Sequence, residues 1–177
     1  MATEKFKALV HFIVDECQDQ PSRLGATRLN KALWYADVIA YKLNGVSITG
    51  DSYVKREKGP VPKFILATLR ELVSEGKVAI KEPEYPFDVR KFLSLETAAT
   101  DTLSHEEIEL AREILSIVCG HTATDISDMT HDQVWEAARI GEEIPLHATL
   151  AGLEGAITDN VLSWADDRIA EASSKTA

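Results

Sequence analysis

Apolar residues recur every three or four positions along most of this chain, and that spacing restricts its fold more than any other feature. Phe6, Leu9, Val10, Ile13, Val14 and Cys17 share one face of a helix over residues 3–17. Pro21, Ser22 and Gly25 then break the chain. Thr27 is placed to cap a second helix carrying Leu29, Ala32, Leu33, Ala36, Ile39, Ala40 and Leu43. Its apolar positions are nearly continuous, which predicts burial, and Asn44-Gly45 supplies a left-handed stop.

One β-prone stretch interrupts the helices. Ile48, Tyr53 and Val54 lie between Gly50 and Gly59, and Gly59-Pro60 is a turn signal. Val61 precedes a proline, which favours extended geometry, and Pro62 suits the first turn of a helix. That helix carries Ile65, Leu66, Leu69, Leu72 and Val73 and stops at Gly76. Strand-like segments at Lys77–Lys81 and Phe87–Leu95 follow, joined by a proline-containing loop. Helix then hairpin is the outline of a winged helix.

The second half returns to helical spacing. Ser104 with Glu107 forms a capping box before Ile108, Ala111, Leu115 and Val118, and Gly120 ends the helix. Thr130 with Gln133 is a second such pattern, opening a helix through Val134, Trp135 and Ala138 towards Gly141. A last helix is expected near residues 158–172, with Ser173–Ala177 frayed. The expected architecture is α+β and mainly helical: a helical bundle with a small winged-helix-like β-hairpin. Residues 1–146 read as one domain, and 147–177 as a C-terminal helical appendage with a frayed tail.

Charge divides the chain. Met1–Lys91 holds 15 basic and 12 acidic residues, whereas Phe92–Ala177 holds 4 basic and 17 acidic. The whole carries a formal charge of -10, which repels nucleic acid at long range. An acidic half attracts a basic protein partner, although solvated helix faces account for most such runs. The two cysteines, Cys17 and Cys119, form no paired motif, so a reducing cytoplasm is the expected compartment. Met1–Val10 contains Glu4, Lys5 and Lys7 and no apolar run, so no signal peptide is expected, and no stretch is apolar enough to span a bilayer.

Chemistry-bearing motifs are few. The sequence has no phosphate-binding glycine loop, nucleophile elbow or zinc-protease motif. His121, Asp125, Asp128 and His131 can be drawn as a metal cluster, but their spacing crosses a break and lacks ligand-pair character, so neither metal nor cofactor is expected. Cys119 stands two residues from His121, yet a core cysteine at a helix end is favoured over a Cys–His pair. Cys17, on the apolar stripe, has no neighbour in sequence that would lower its pKa. His131 and Trp135, four residues apart, can stack and fix a helix end. The basic run Lys55, Arg56, Lys58 and Lys63 could meet phosphates in a winged helix, though a solvated loop is the simpler reading.

An ordered set of residues then resembles a known family. The stretch Leu29-Asn-Lys-Ala-Leu-Trp-Tyr-Ala-Asp37, Gly45, Ile48-Thr-Gly-Asp-Ser-Tyr53 and Gly59-Pro-Val-Pro62 resembles the Panacea domain of SocA-like antitoxins, some of them phage-associated proteins of the GepA type. Leu103-Ser104, Thr130-His-Asp-Gln-Val-Trp135 and Ile144-Pro145 agree. Trp34, Tyr35, Asp37, Gly50, Tyr53, Gly59, Pro60, His131 and Trp135 carry the likeness. The resemblance implies a non-catalytic protein that neutralises a cognate toxin by binding it, and in the SocA case an adaptor to a ClpXP-type protease. Read from the residues alone, Asp37 is an acid in an apolar helix and must find a donor, either the Tyr53 hydroxyl or an N–H of the Gly59 turn. A winged-helix regulator that binds DNA is the alternative reading.

Overall fold

In the computed structural model, residues 3–86 and 88–152 are described. The architecture is mixed α+β and mainly helical. Helix α1 (Glu4–Glu16) begins where the Thr3 side chain accepts from the Phe6 N–H. Helix α2 (Gly25–Asn44) starts two residues before Thr27, with no side-chain cap, because the 3-10 turn Pro21–Arg23 runs straight into it. Gly45 closes α2 at φ 74°, and its N–H reaches the Tyr41 carbonyl at 2.8 Å.

The β-prone stretch differs from expectation. Strand β1 (Tyr53–Arg56) pairs antiparallel with β2 (Gly59–Pro62), from Tyr53 opposite Pro62 to Arg56 opposite Gly59. Gly59-Pro60 is therefore strand, the turn being Glu57-Lys58, and Pro62 ends the strand instead of opening a helix. Helix α3 (Ile65–Ser74) begins three residues later, where Asp51 Oδ2 accepts the Phe64 N–H at 3.0 Å. Ile48 lies outside the strand. Pro60 and Pro62 are tolerated because β2 is an edge of its sheet, paired only with β1.

Strands β3 (Val78–Lys81) and β4 (Lys91–Ser94) form the expected hairpin after α3, with Val78 opposite Ser94. The expected second strand shortens at its start because Asp88 turns the chain, its carboxylate accepting from the Glu84 and Val89 N–H groups. Helix α4 (His105–Gly120) has the expected Ser104–Glu107 capping box. Its C-terminal end is held by arginines from the α2 entry: Arg23 donates to the Cys119 carbonyl at 2.9 Å and Arg28 to that of His121 at 2.7 Å.

The helix expected from Thr130 opens only at Gln133, and a further short helix precedes Thr130. Helix α5 (Ala123–Asp128) opens on a Thr122–Asp125 capping box, and α6 (Gln133–Ala137) is capped by Asp132. The Thr130 hydroxyl instead donates back to the Ser127 carbonyl at 2.7 Å, so it caps nothing ahead of it. Strand β5 (Glu143–Ile144) adds to β1, and a 3-10 turn spans Leu146–Gly152. The expected helix at 158–172 lies outside the described residues.

The main core joins Phe6, Leu9 and Ile13 of α1 to Leu29 and Leu33 of α2, Leu72 of α3, Phe92 of β4 and Val118 of α4. Each such side chain contributes roughly 1.5–3 kcal/mol by leaving water. A smaller cluster of Trp34, Val38, Tyr53 and Ile144 lies on the other side of α2, flanked by Trp135. Helix α2 thus sits between two apolar layers, as its near-continuous apolar sequence requires.

Candidate functional site

Asp37 projects from α2 into the smaller layer and is fully buried. Its Oδ1 accepts the N–H groups of Ile48 and Thr49 at 2.8 and 2.9 Å. Its Oδ2 accepts the Thr49 hydroxyl and the Tyr53 hydroxyl, the latter at 2.7 Å. The expected Tyr53 donor is present, but the backbone donors come from Ile48 and Thr49 and not from the Gly59 turn. Burial is the strongest influence on this carboxyl and holds it above the ordinary aspartate range, against the four donors. Burial and the neighbouring Asp37 together push the Tyr53 phenol up as well. The network pins the loop after α2. Gly50 follows at φ 66°, a left-handed turn that suits glycine.

Trp34 packs its ring edge-on to Tyr53, with centroids 4.9 Å apart. Tyr35, one position along, is half-buried and its hydroxyl has no hydrogen-bond partner among the described residues. Burial first, then the charge of Asp132, pushes its phenol up to about 12.

A second cluster centres on Gly59, at φ 99°. A Cβ placed there would collide with Lys31 Nζ and Thr130 Oγ1, so a side chain at this position has to displace both atoms and also strains the backbone. Lys31, in α2, is only 1% exposed. Its ammonium has no hydrogen-bond partner among the described residues, and burial lowers it to about 7. Lys31 lies within the stretch that carries the family likeness, outside the nine residues named for it. The available signal was a lysine on a helix whose apolar positions leave little solvent face. Pro60, beside Gly59, is buried opposite Lys55.

A third group joins β1 to α6. His131 and Trp135 stack at 3.8 Å with planes 11° apart, as their spacing predicts, though His131 precedes the helix and Asp132 caps it. Lys55 Nζ stands 3.8 Å from the Trp135 ring centroid and donates to the Ala138 carbonyl at 2.9 Å. Trp135 Nε1 donates to the Arg56 carbonyl at 3.3 Å. Lys55 is therefore 8% exposed and tied down, which contradicts its place in a solvated or phosphate-facing run. Arg56, Lys58 and Lys63 are exposed. Outward positions of α3 include Leu66, Arg70, Glu71 and Val73, a mixed surface.

The remaining candidates fall elsewhere. His121 Nδ1 lies 2.8 Å from the Ile117 carbonyl, and the Asp125 carboxylate serves the Thr122 cap. No group of three metal-ligating side chains gathers among the described residues. Cys119 finds Cys17, not His121: both cysteines line one cavity where α1 and α4 meet. A thiol donor at Cys17, helped by the charges of Arg23 and Arg28, lowers Cys119 to about 7, and the pairing raises Cys17. A partner 102 residues away lay beyond any local reading of Cys17 or Cys119.

A family model described as "Antitoxin SocA-like, Panacea domain" matches residues 29–136. That interval holds all nine residues that carry the likeness, and it runs from α2 into α6. No curated protein and no solved structure matches the chain. No described helix is long and apolar enough to cross a membrane.

Proposed function

Because the chain belongs to the SocA-like antitoxin family defined by the Panacea domain, we propose that it neutralises a small toxin protein by binding it directly, without catalysing a reaction. The observation that carries this reading is the family match over more than half of the chain. The geometry lends support of a particular kind. Trp34, Asp37, Tyr53, Gly59 and Pro60 face inward and hold the scaffold, so toxin recognition falls to exposed positions. The second half, with 17 acidic against 4 basic residues, attracts a basic partner and speeds its encounter. On α4, Glu106, Glu109 and Glu113 are exposed and form part of that acidic surface.

Co-expression with the product of the neighbouring gene tests the reading. The chain restores growth to cells arrested by that toxin and co-purifies with it. Continued arrest with both proteins present would reject the proposal. Delivery of the toxin to a ClpXP-type protease is a finer version of the same function. It requires a shorter toxin half-life in cells that hold both proteins, whereas occlusion leaves the half-life unchanged or longer.

A further inference from the structure

Cys17 and Cys119 stand 102 positions apart, yet both line one cavity of about 330 Å³ at the seam of α1 and α4. Cys17 closes the C-terminal end of α1, and Cys119 is the last residue but one of α4. Both pack against the main core, as a core reading of each cysteine requires, but neither is sealed in. The cavity leaves both thiols within reach of a small solute. Polar contacts dock the two helices around the pair. Arg112 of α4 meets Glu16, the neighbour of Cys17, at 3.2 Å, and its guanidinium lies over the Phe12 ring of α1. Arg23 lines the same cavity and donates to the Cys119 carbonyl at 2.9 Å. The backbones that carry the two thiols are therefore held together before any bond joins them.

We propose that Cys17 and Cys119 are a redox-responsive pair, which hydrogen peroxide converts to an intramolecular disulfide that staples the end of α1 to the end of α4. Cys119 is the attacking group. Its thiolate sulfur bonds to one peroxide oxygen, the O–O bond breaks, and the other oxygen leaves as hydroxide, which takes up the proton that Cys119 released. The sulfur of Cys17 then attacks the resulting Cys119 sulfenic acid. The S–S bond forms, the S–O bond breaks, and the departing hydroxide carries off the Cys17 proton as water. Two thiols lose two electrons in all, and one peroxide gains them to become two waters. The ionisation of each thiol fits its part. Cys119, lowered first by Cys17 and then by Arg23 and Arg28, is substantially thiolate at neutral pH. Cys17 is raised chiefly by Cys119, so it keeps its proton until oxidation of Cys119 removes that influence. A reducing compartment holds the pair open, and peroxide closes it. The closed bond ties off the chain from Cys17 to Cys119, which contains α2, α3 and the strands β1 to β4. None of this rests on the antitoxin reading.

Treatment of the purified protein, without toxin, with hydrogen peroxide tests the pair. The expected product is a monomer that has lost both free thiols and two hydrogen atoms of mass. Its non-reducing peptide map joins the Cys17 and Cys119 peptides, and dithiothreitol separates them. Closure is at least tenfold faster in the folded protein than in urea, because folding places the thiols together. The closed form melts about 5 °C or more above the reduced form, since the bond restricts the unfolded chain. Cys17→Ser leaves a Cys119 sulfenic acid that dimedone traps, whereas Cys119→Ser leaves a Cys17 thiol that reacts at least tenfold more slowly. The peptide map of the unsubstituted protein stands even where a variant fails to fold. Three results would overturn the proposal. One is Cys119 oxidised to sulfinic or sulfonic acid with Cys17 still a free thiol. Another is a disulfide that joins two molecules instead of two helices. The last is closure no faster in the folded protein than in urea.

Discussion

Replacing Asp37 with alanine removes the acceptor for four donors at once. The two hydroxyls can adjust: that of Tyr53 already lies 2.9 Å from the Leu33 carbonyl, and that of Thr49 can rotate. The N–H groups of Ile48 and Thr49 cannot turn, and both bonds are buried. Each stranded donor costs roughly 1–3 kcal/mol, so the loss is about 4 kcal/mol of a total near 5–15 kcal/mol. For a chain of this size about 1 kcal/mol shifts Tm by roughly 2–4 °C, which places the drop at about 8–16 °C by calorimetry. Asp37→Asn keeps an oxygen for the two N–H groups and removes the buried charge, so it loses less than half as much. The pH dependence supplies a second readout. Asp37 in the folded protein has a raised pKa, so the folded state keeps a proton that the unfolded chain has released. Its contribution is complete below the unfolded aspartate value and is lost as pH rises through the folded value. The advantage of wild type over Asp37→Asn therefore shrinks as pH rises from about 4. A Tm for Asp37→Ala within about 2 °C of wild type would refute the account of the network.

Lys31 behaves in the opposite sense. Its folded pKa of about 7 lies below the 10.5 of a free lysine, so the unfolded chain binds the extra proton between those values and stability rises with pH across that window. Lys31→Met removes a penalty of up to about 5 kcal/mol, and chemical denaturation should show it more stable than wild type at pH 7, with the gap closing towards pH 10. Cys17→Ala deletes the donor that holds Cys119 low, so labelling of Cys119 by a disulfide reagent at pH 7 slows severalfold; an unchanged rate would exclude the thiol pairing. Reversing Glu106, Glu109 and Glu113 to lysine slows toxin association at least tenfold at low salt and much less at high salt, which stopped-flow kinetics can measure.

Local signals in the sequence carried the helices well. The α1 stripe, the Gly45 stop and the Ser104–Glu107 box are set by neighbours a few residues apart, where periodicity and capping speak clearly. Expectation and structure part where strand pairing or competing caps decide. Gly59-Pro60 reads as a turn until β1 supplies hydrogen-bond partners on one side, and β5 is too short to show a period. Thr130 looks like a cap, but Asp132 competes two residues later and succeeds. The same division holds at the site. A donor for Asp37 could be demanded from its apolar helix, and the His131–Trp135 stack follows from spacing. That Lys55 would lie against Trp135, or that Lys31 would be buried against Gly59, depends on contacts between segments 28 or more residues apart in sequence.

Purified protein mixed with the purified product of its neighbouring gene gives the most direct reading of whether it works by holding a toxin. Size-exclusion chromatography with light scattering should show one stable complex whose mass is that of both proteins together, and a purified toxin assay should lose its activity in step with complex formation. Separate elution of the two proteins at micromolar concentration, with toxin activity intact, would contradict the account.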